Sequence, residues 1–171
     1  QPGALNESFS DIFGEIADLL NGRGLDAPDR ARSADECSVF GGSSGPRLVV
    51  ESPPLLAGGY DAAGATFNPP GPWSVSGLVE LADDGVGTAS DACEPLQGFT
   101  PGRIALVDRG SCPFVDKAQR AAEAGAVGVI VANHDGDTLL TMGGDMPPGY
   151  VTPAIFITRS AGDRLRAAAG V

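Results

Sequence analysis

Residues 103–131 constrain this chain more than any other stretch. Two unbroken apolar runs, Ile104-Ala105-Leu106-Val107 and Val127-Gly128-Val129-Ile130-Val131, flank an alanine-rich segment of about 114–124. Apolar runs of this length suit strands buried on both faces. The intervening segment turns Phe114, Ala118, Ala121 and Ala122 to one side at helical spacing. Strand, helix and strand within about 30 residues make a βαβ crossover, which places the two strands parallel with the helix on one face. The small alanines let that helix lie close to the sheet.

The rest of the chain extends this reading. Leu48-Val49-Val50 is a short apolar run closed by Pro53-Pro54, and Ala154-Ile155-Phe156-Ile157 is a further strand before a last helix that begins near Ser160. Ser160 and Asp163 stand at capping-box spacing. Trp73, Val75, Val79 and Leu81 nearly alternate with Ser74, Ser76, Leu78 and Glu80, which predicts a half-buried strand ended by Asp83-Asp84-Gly85. With 25 glycines and 14 prolines, many short strands joined by turns are favoured over a helical bundle. The expected class is α/β, with a βαβ unit and two flanking helices.

Ahead of this lies different material. Leu5, Phe9, Ile12, Phe13, Ile16, Leu19 and Leu20 share one face of an expected amphipathic helix over residues 4–20. Residues 22–46 are polar and rich in Gly, Ser, Asp and Arg, the composition of a linker. The expected organisation is therefore an N-terminal helical segment (1–21), a linker (22–46) and one domain (47–171).

A formal charge of −11 argues against nucleic acid, whose phosphates call for Lys and Arg. Lys117 is the sole lysine. No run approaches the roughly 20 apolar residues of a membrane span. Residues 1–20 are acidic and amphipathic, unlike a signal segment, and the chain opens on Gln1, so a piece cut from a longer precursor is expected. Cys93 and Cys112 could close a loop of about 20 residues, stabilising by about 3 kcal/mol in the chain-entropy model; two free buried thiols account for them equally well. Cys37 is either unpaired or bonded to something outside the chain. With one histidine, His134, and no CxxC, nothing has the spacing of a zinc site.

The segment GRIALVDRGSCPFVDKAQRAAEAGAVGVIVANHDG resembles the core signature of protease-associated (PA) domains. Asp108-Arg109-Gly110, Cys112, Phe114, Lys117, Ala124-Gly125-Ala126 and Ala132-Asn133 carry the likeness. Asp91-Ala92-Cys93-Glu94-Pro95-Leu96 and Pro153-Ala154-Ile155-Phe156-Ile157 extend it over about residues 47–170. The resemblance implies a short-stranded β-sandwich or open barrel and a Cys93–Cys112 disulfide. It also implies a non-catalytic module, extracellular, that binds peptide segments or regulates access to a peptidase. The stretch LVVESPPLLAGGYDAAGATF is most similar to PA domains of secreted bacterial metallopeptidases.

Residues 3–14, GALNESFSDIFG, resemble the glutamate helix of thermolysin-like and fungalysin-like zinc peptidases. That likeness makes Glu7 a zinc ligand in a parent protein, and Asp11, one helical turn on, the carboxylate that orients a ligating histidine. The plain alternative is a solvated helix face. The HExxH helix that supplies two imidazoles and the general base is absent from these residues, so the chain alone is expected to be proteolytically inactive.

Several residues carry two readings each. Asp108-Arg109-Gly110 is a ligand-contacting loop at the carboxyl end of a strand, or a turn in which Gly110 takes a special backbone angle and Asp108 binds loop amides. Trp73 is a docking anchor on a proline-rich loop, or a core residue. His134-Asp135-Gly136-Asp137 offers carboxylates to calcium but falls short of an EF-hand, and turn chemistry explains it. Asn6-Glu7-Ser8 is formally a sequon. Met142–Gly149 reads as a long flexible loop, a lid or a partner contact. The expected function is an accessory module of a secreted zinc metallopeptidase, whose partners are protein or peptide substrates and the parent's catalytic domain. The alternatives are a fragment of the metalloendopeptidase itself and a free-standing peptide-binding or sorting ectodomain.

Overall fold

The computed structural model describes residues 45–145 and 148–169. The expected first helix, the linker, Glu7, Asp11, Asn6 and Cys37 lie outside the described residues. Six strands form one sheet: β1 (Arg47–Val50), β2 (Gly58–Ala63), β3 (Val79–Leu81), β4 (Ile104–Asp108), β5 (Gly128–Ala132) and β6 (Ala154–Ile157). Two helices complete the fold, α1 (Phe114–Glu123) between β4 and β5, and α2 (Arg159–Ala169) after β6. The strand order is β1-β2-β6-β5-β4-β3, and the sheet curls into a half-barrel. No helix among the described residues is long and apolar enough to cross a membrane.

The expected βαβ unit is present in register. β4 and β5 run parallel from Ile104↔Gly128 to Asp108↔Ala132, and β6 continues the parallel set from Val129↔Ala154 to Ala132↔Ile157. Strand alternation divides the core into two layers. Ala105, Val107, Val129, Val131 and Phe156 pack with Ala118 and Ala121 of α1. Leu106, Ile130, Ile155 and Ile157 pack with Ala161 and Leu165 of α2 on the opposite face. Burying a side chain such as Phe156, which has no exposed surface, contributes about 2–3 kcal/mol. Phe114 meets it edge to face at 5.9 Å.

Close approach sets where α2 lies. A Cβ on Gly162 would fall 2.5 Å from Cβ of Ala132, so only glycine lets this turn of helix rest on β5. The helix begins differently from the capping-box expectation. Thr158 Oγ1 accepts from Ala161 N at 3.2 Å, and Asp137 Oδ1 accepts from Ser160 N at 2.8 Å. Asp163 is instead drawn to Arg166 at 2.6 Å. A charged partner one turn along outcompetes the reach back to the helix start.

Two further expectations change. The alternating stretch from Trp73 contributes only Val79–Leu81 to the sheet. Before it, the Val75 side chain lies against Gly128 of β5, and Leu78, largely exposed, contributes only its carbonyl, which accepts from Ile104 N at 2.9 Å. Met142 does not begin a free loop. It is fully buried, bridges Ala65, and exchanges backbone hydrogen bonds with Gly64 and Thr66. β2, whose sequence Gly-Gly-Tyr-Asp-Ala-Ala lacks a strand signature, pairs with β1 over Gly58, Gly59, Tyr60 and Asp61 and with β6 only at Ala62 and Ala63. Beyond that point the side chain of Asn68 takes over: its amide donates to the Ala154 carbonyl and accepts from the Ala154 N–H, both at 2.8 Å.

Candidate functional site

The carboxyl ends of β4, β5 and β6 gather most of the polar side chains singled out above, at the edge where parallel α/β sheets place their ligands. Asp108 ends β4. Its carboxylate accepts from the Ser90 hydroxyl at 2.5 Å and from the Arg166 guanidinium. The expectation that Asp108 binds loop amides gives way to these two side-chain donors. Arg109 follows, anchored by its N–H to the Ala132 carbonyl at 2.8 Å, while its guanidinium donates to Asn133 Oδ1 at 3.1 Å. Asn133, 1% exposed, uses its amide N–H groups on the carbonyls of Asp135 and Thr138. It thereby holds the loop after β5.

Gly110 does not occupy the left-handed region expected of it. Its requirement is space, because a Cβ there would stand 3.0 Å from Asp91 Oδ2 and 3.2 Å from Asp91 Cβ. Beside this loop, Asp108, Asn133, His134, Arg159, Asp163 and Arg166, with Thr88, line a polar cavity of about 230 Å³. Asp137 is taken by the cap of α2, so turn and cap chemistry accounts for the 134–137 segment. Trp73 is half-buried against the α2-side core and does not line this cavity. A second cavity, about 290 Å³, opens between residues 66–70 on one side and Gly144, Asp145, Gly149 and Tyr150 on the other. There the Tyr150 hydroxyl is buried without a hydrogen-bond partner among the described residues, and burial raises its pKa.

The structure also assembles a group that sequence reasoning passed over. Lys117 has no exposed surface. Its ammonium donates to the Asp91 carbonyl and lies 3.5 Å from Cys93 Sγ. Burial lowers the Lys117 pKa, against the opposing charges of Asp91, Asp84 and Asp108. Asp84 is 1% exposed. Burial alone would raise its pKa, but the amides of Val86, Glu94 and Cys93 outweigh that and hold it below the ordinary carboxylate range. The sequence carries the signal, since Lys117 sits on the same helical face as Phe114, Ala118 and Ala121. A lysine in that stripe must find a buried counter-charge.

Cys93 and Cys112 are joined by a disulfide, Cα to Cα 5.6 Å. It ties the Asp91–Glu94 turn, where Ala92 has φ 53°, to the loop between β4 and α1. Around Cys93, the carboxylates of Asp84, Asp91 and Glu94 form the single three-residue acidic group among the described residues with oxygens within 4.8 Å of one another. This donor set does not fit a catalytic zinc, which favours imidazole and thiolate ligands. Two of its carboxylates already serve backbone amides, and Asp91 carries the Lys117 contact on its own carbonyl.

The PA domain family model matches residues 75–165. The minor extracellular protease Vpr of Bacillus subtilis is 36% identical over 91 residues, covering 51% of this chain and 10% of that protein. The probable lipoprotein aminopeptidase LpqL of Mycobacterium tuberculosis is 35% identical over 91 residues, covering 52% of this chain and 17% of that protein. Among solved structures, an aminopeptidase from Aneurinibacillus sp. strain AM-1 superposes with a TM-score of 0.49 at 30% identity, over 66% of this chain and 25% of that one. The chain thus spans less than a fifth of the length of the two curated relatives.

Proposed function

The chain belongs to the PA domain family, and on that premise we propose that it is the non-catalytic accessory module of a secreted zinc metallopeptidase, binding extended peptide or governing its access to the parent's catalytic domain. The observation that carries the reading is the strand-end constellation around Arg109. Its guanidinium is held by Asn133 beside a polar cavity, and Asp108 is locked by Arg166, so the loop stands preorganised rather than free to collapse. A planar guanidinium in such a setting suits the carbonyls and carboxylates of a peptide. The sheet adds backbone along β1 and β3, the two ends of the strand order, that has no strand partner among the described residues. Peptidase relatives favour a peptidase setting. In that parent, Glu7 would ligate zinc and Asp11 would orient a histidine, with the HExxH helix supplied from elsewhere in the protein.

The test is binding of the 171-residue chain to immobilised overlapping casein peptides. Saturable binding is expected, weakened at least about fivefold by Arg109→Ala, the loss of one charge-assisted contact. Absence of saturable binding, or an Arg109→Ala variant that binds unchanged, would reject the strand-end site.

A further inference from the structure

The cavity of about 290 Å³ shares no lining residue with the polar cavity beside Arg109. One of its walls is residues 66–70, where Asn68 is bonded to Ala154 at the start of β6; the other carries Asp145 and Tyr150. We propose that this cavity receives a basic side chain, lysine or arginine, presented by another polypeptide.

The hydrogen-bond inventory of the 66–70 wall carries the argument. The Thr66 N–H is given to the Met142 carbonyl at 2.9 Å, and the Asn68 N–H to the Ala65 carbonyl at 3.2 Å. The Thr66 hydroxyl donates to the Gly144 carbonyl at 3.3 Å, and the Asn68 side-chain amide is committed at both ends to Ala154. Pro69 and Pro70 have no N–H to give. With its donors spent, this wall offers a visitor mainly carbonyl oxygens, each with two lone pairs. No Lys, Arg or His lines the cavity among the described residues. Its one formal charge is Asp145, exposed and without a salt-bridge partner among them. An anion finds nothing to hold it here; a cation rich in donors does.

The lining also suits the stem behind such a cation. Phe67 is buried and meets half-buried Tyr150 edge to face, ring centroids 6.4 Å apart, with Pro69 and Pro70 beside them. Lysine and arginine lay their methylene stems along apolar surface of this kind and carry the charged head to a polar rim. Burial raises the pKa of Tyr150, so its phenol stays neutral and leaves Asp145 as the electrostatic anchor. Gly144, at φ 138°, sets that anchor in place: a Cβ there would collide with Val115 of α1, so glycine lets the chain before Asp145 rest on the helix. Thr66, Pro70, Gly144 and Gly149 are exposed, and a side chain can enter while its main chain stays outside. The formal charge of −11 draws basic partners toward the chain at long range.

The experiment titrates the isotope-labelled 171-residue chain with acetyl-Gly-Arg-Gly-amide and follows its backbone amide resonances. Saturable shifts are expected at Phe67, Asn68, Asp145 and Tyr150. The same tripeptide with citrulline in place of arginine keeps the shape and loses the charge, and should bind at least about fivefold more weakly. Asp145→Asn, at an exposed position, should weaken the arginine tripeptide by at least about fivefold as well. Absence of shifts at these residues, equal binding of the citrulline tripeptide, or an unchanged Asp145→Asn variant overturns the proposal. Arg109→Ala separates this site from the peptide site proposed above. It should leave the arginine titration unchanged even where casein-peptide binding is lost; loss of both together would assign the cation to the strand-end loop and overturn its placement in this cavity.

Discussion

Asp108, the last residue of β4, is gripped by Arg166 of α2 across 58 residues of sequence. Both side chains are largely screened from water, at 16% and 23% exposed, so the pair fastens the second helix to the sheet edge that carries Arg109. A double-mutant cycle of Asp108→Ala and Arg166→Ala in urea should return a coupling of about 1 kcal/mol. Additive losses would mean that Arg166 draws its stabilisation from Asp163 alone.

Lys117→Met should cost about 3 kcal/mol, because it leaves Asp84 and Asp91 buried without their cation. The methionine matches the lysine stem in length, so packing is largely preserved and charge is what the variant removes. Urea unfolding followed by Trp73 fluorescence would measure it. A loss below about 1 kcal/mol would mean that the amides around Asp84 suffice without the ammonium.

Asp84 predicts the acid response. Its folded pKa lies below the ordinary value of 3.8, so its stabilising contribution is complete above that value and is lost as pH falls through the lower, folded value. Asp84→Asn should therefore be less stable than the wild type at pH 7. The gap should narrow steadily below pH 3.8. Urea midpoints of both proteins at neutral and acid pH test this; a constant gap would assign the effect to packing.

Gly162→Ala tests the seating of α2 on β5. Alanine gains helix propensity of about 1 kcal/mol, but its methyl must displace Ala132, whose Cβ has no flexible end to yield. Overpacking costs about 1–3 kcal/mol, so net destabilisation is expected. A rise in Tm would show that the helix can shift outward without penalty.

Cys93→Ala/Cys112→Ala should lower stability by about 3 kcal/mol, the loop-closure value for a link across 19 residues. Calorimetry of the double variant against the oxidised chain gives the comparison.

What could be read from the residues depended on whether a side chain's role was local. The βαβ unit was legible because its strands carry unbroken apolar runs, interrupted only by Asp108 at the end of β4, and its helix has an alanine face; both patterns survive folding. β2 was not, since Gly58 and Gly59 hide a strand whose pairing comes from its neighbours. The Asp108-Arg109-Gly110 loop was found by its place after a strand, but its working partners, Ser90, Asn133 and Arg166, lie 18, 24 and 58 residues away. Spacing rules do not reach contacts of that kind. Lys117 was visible as a member of the signature and as part of an inward stripe. Only folding brought Asp84 and Asp91 beneath it.

The side chain of Asn68 has a consequence for how this sheet meets other chains. Where β2 turns away, Ala154 would present an open donor and acceptor in the middle of the sheet, a slot into which a stray strand could wedge. Asn68 plugs that slot with an amide that copies the backbone pattern of a neighbour. Among the described residues, the edges that stay open are then the outer rims of the sheet, at β1 and β3. Replacing Asn68 would reopen the middle, and with it a route to intermolecular strand exchange.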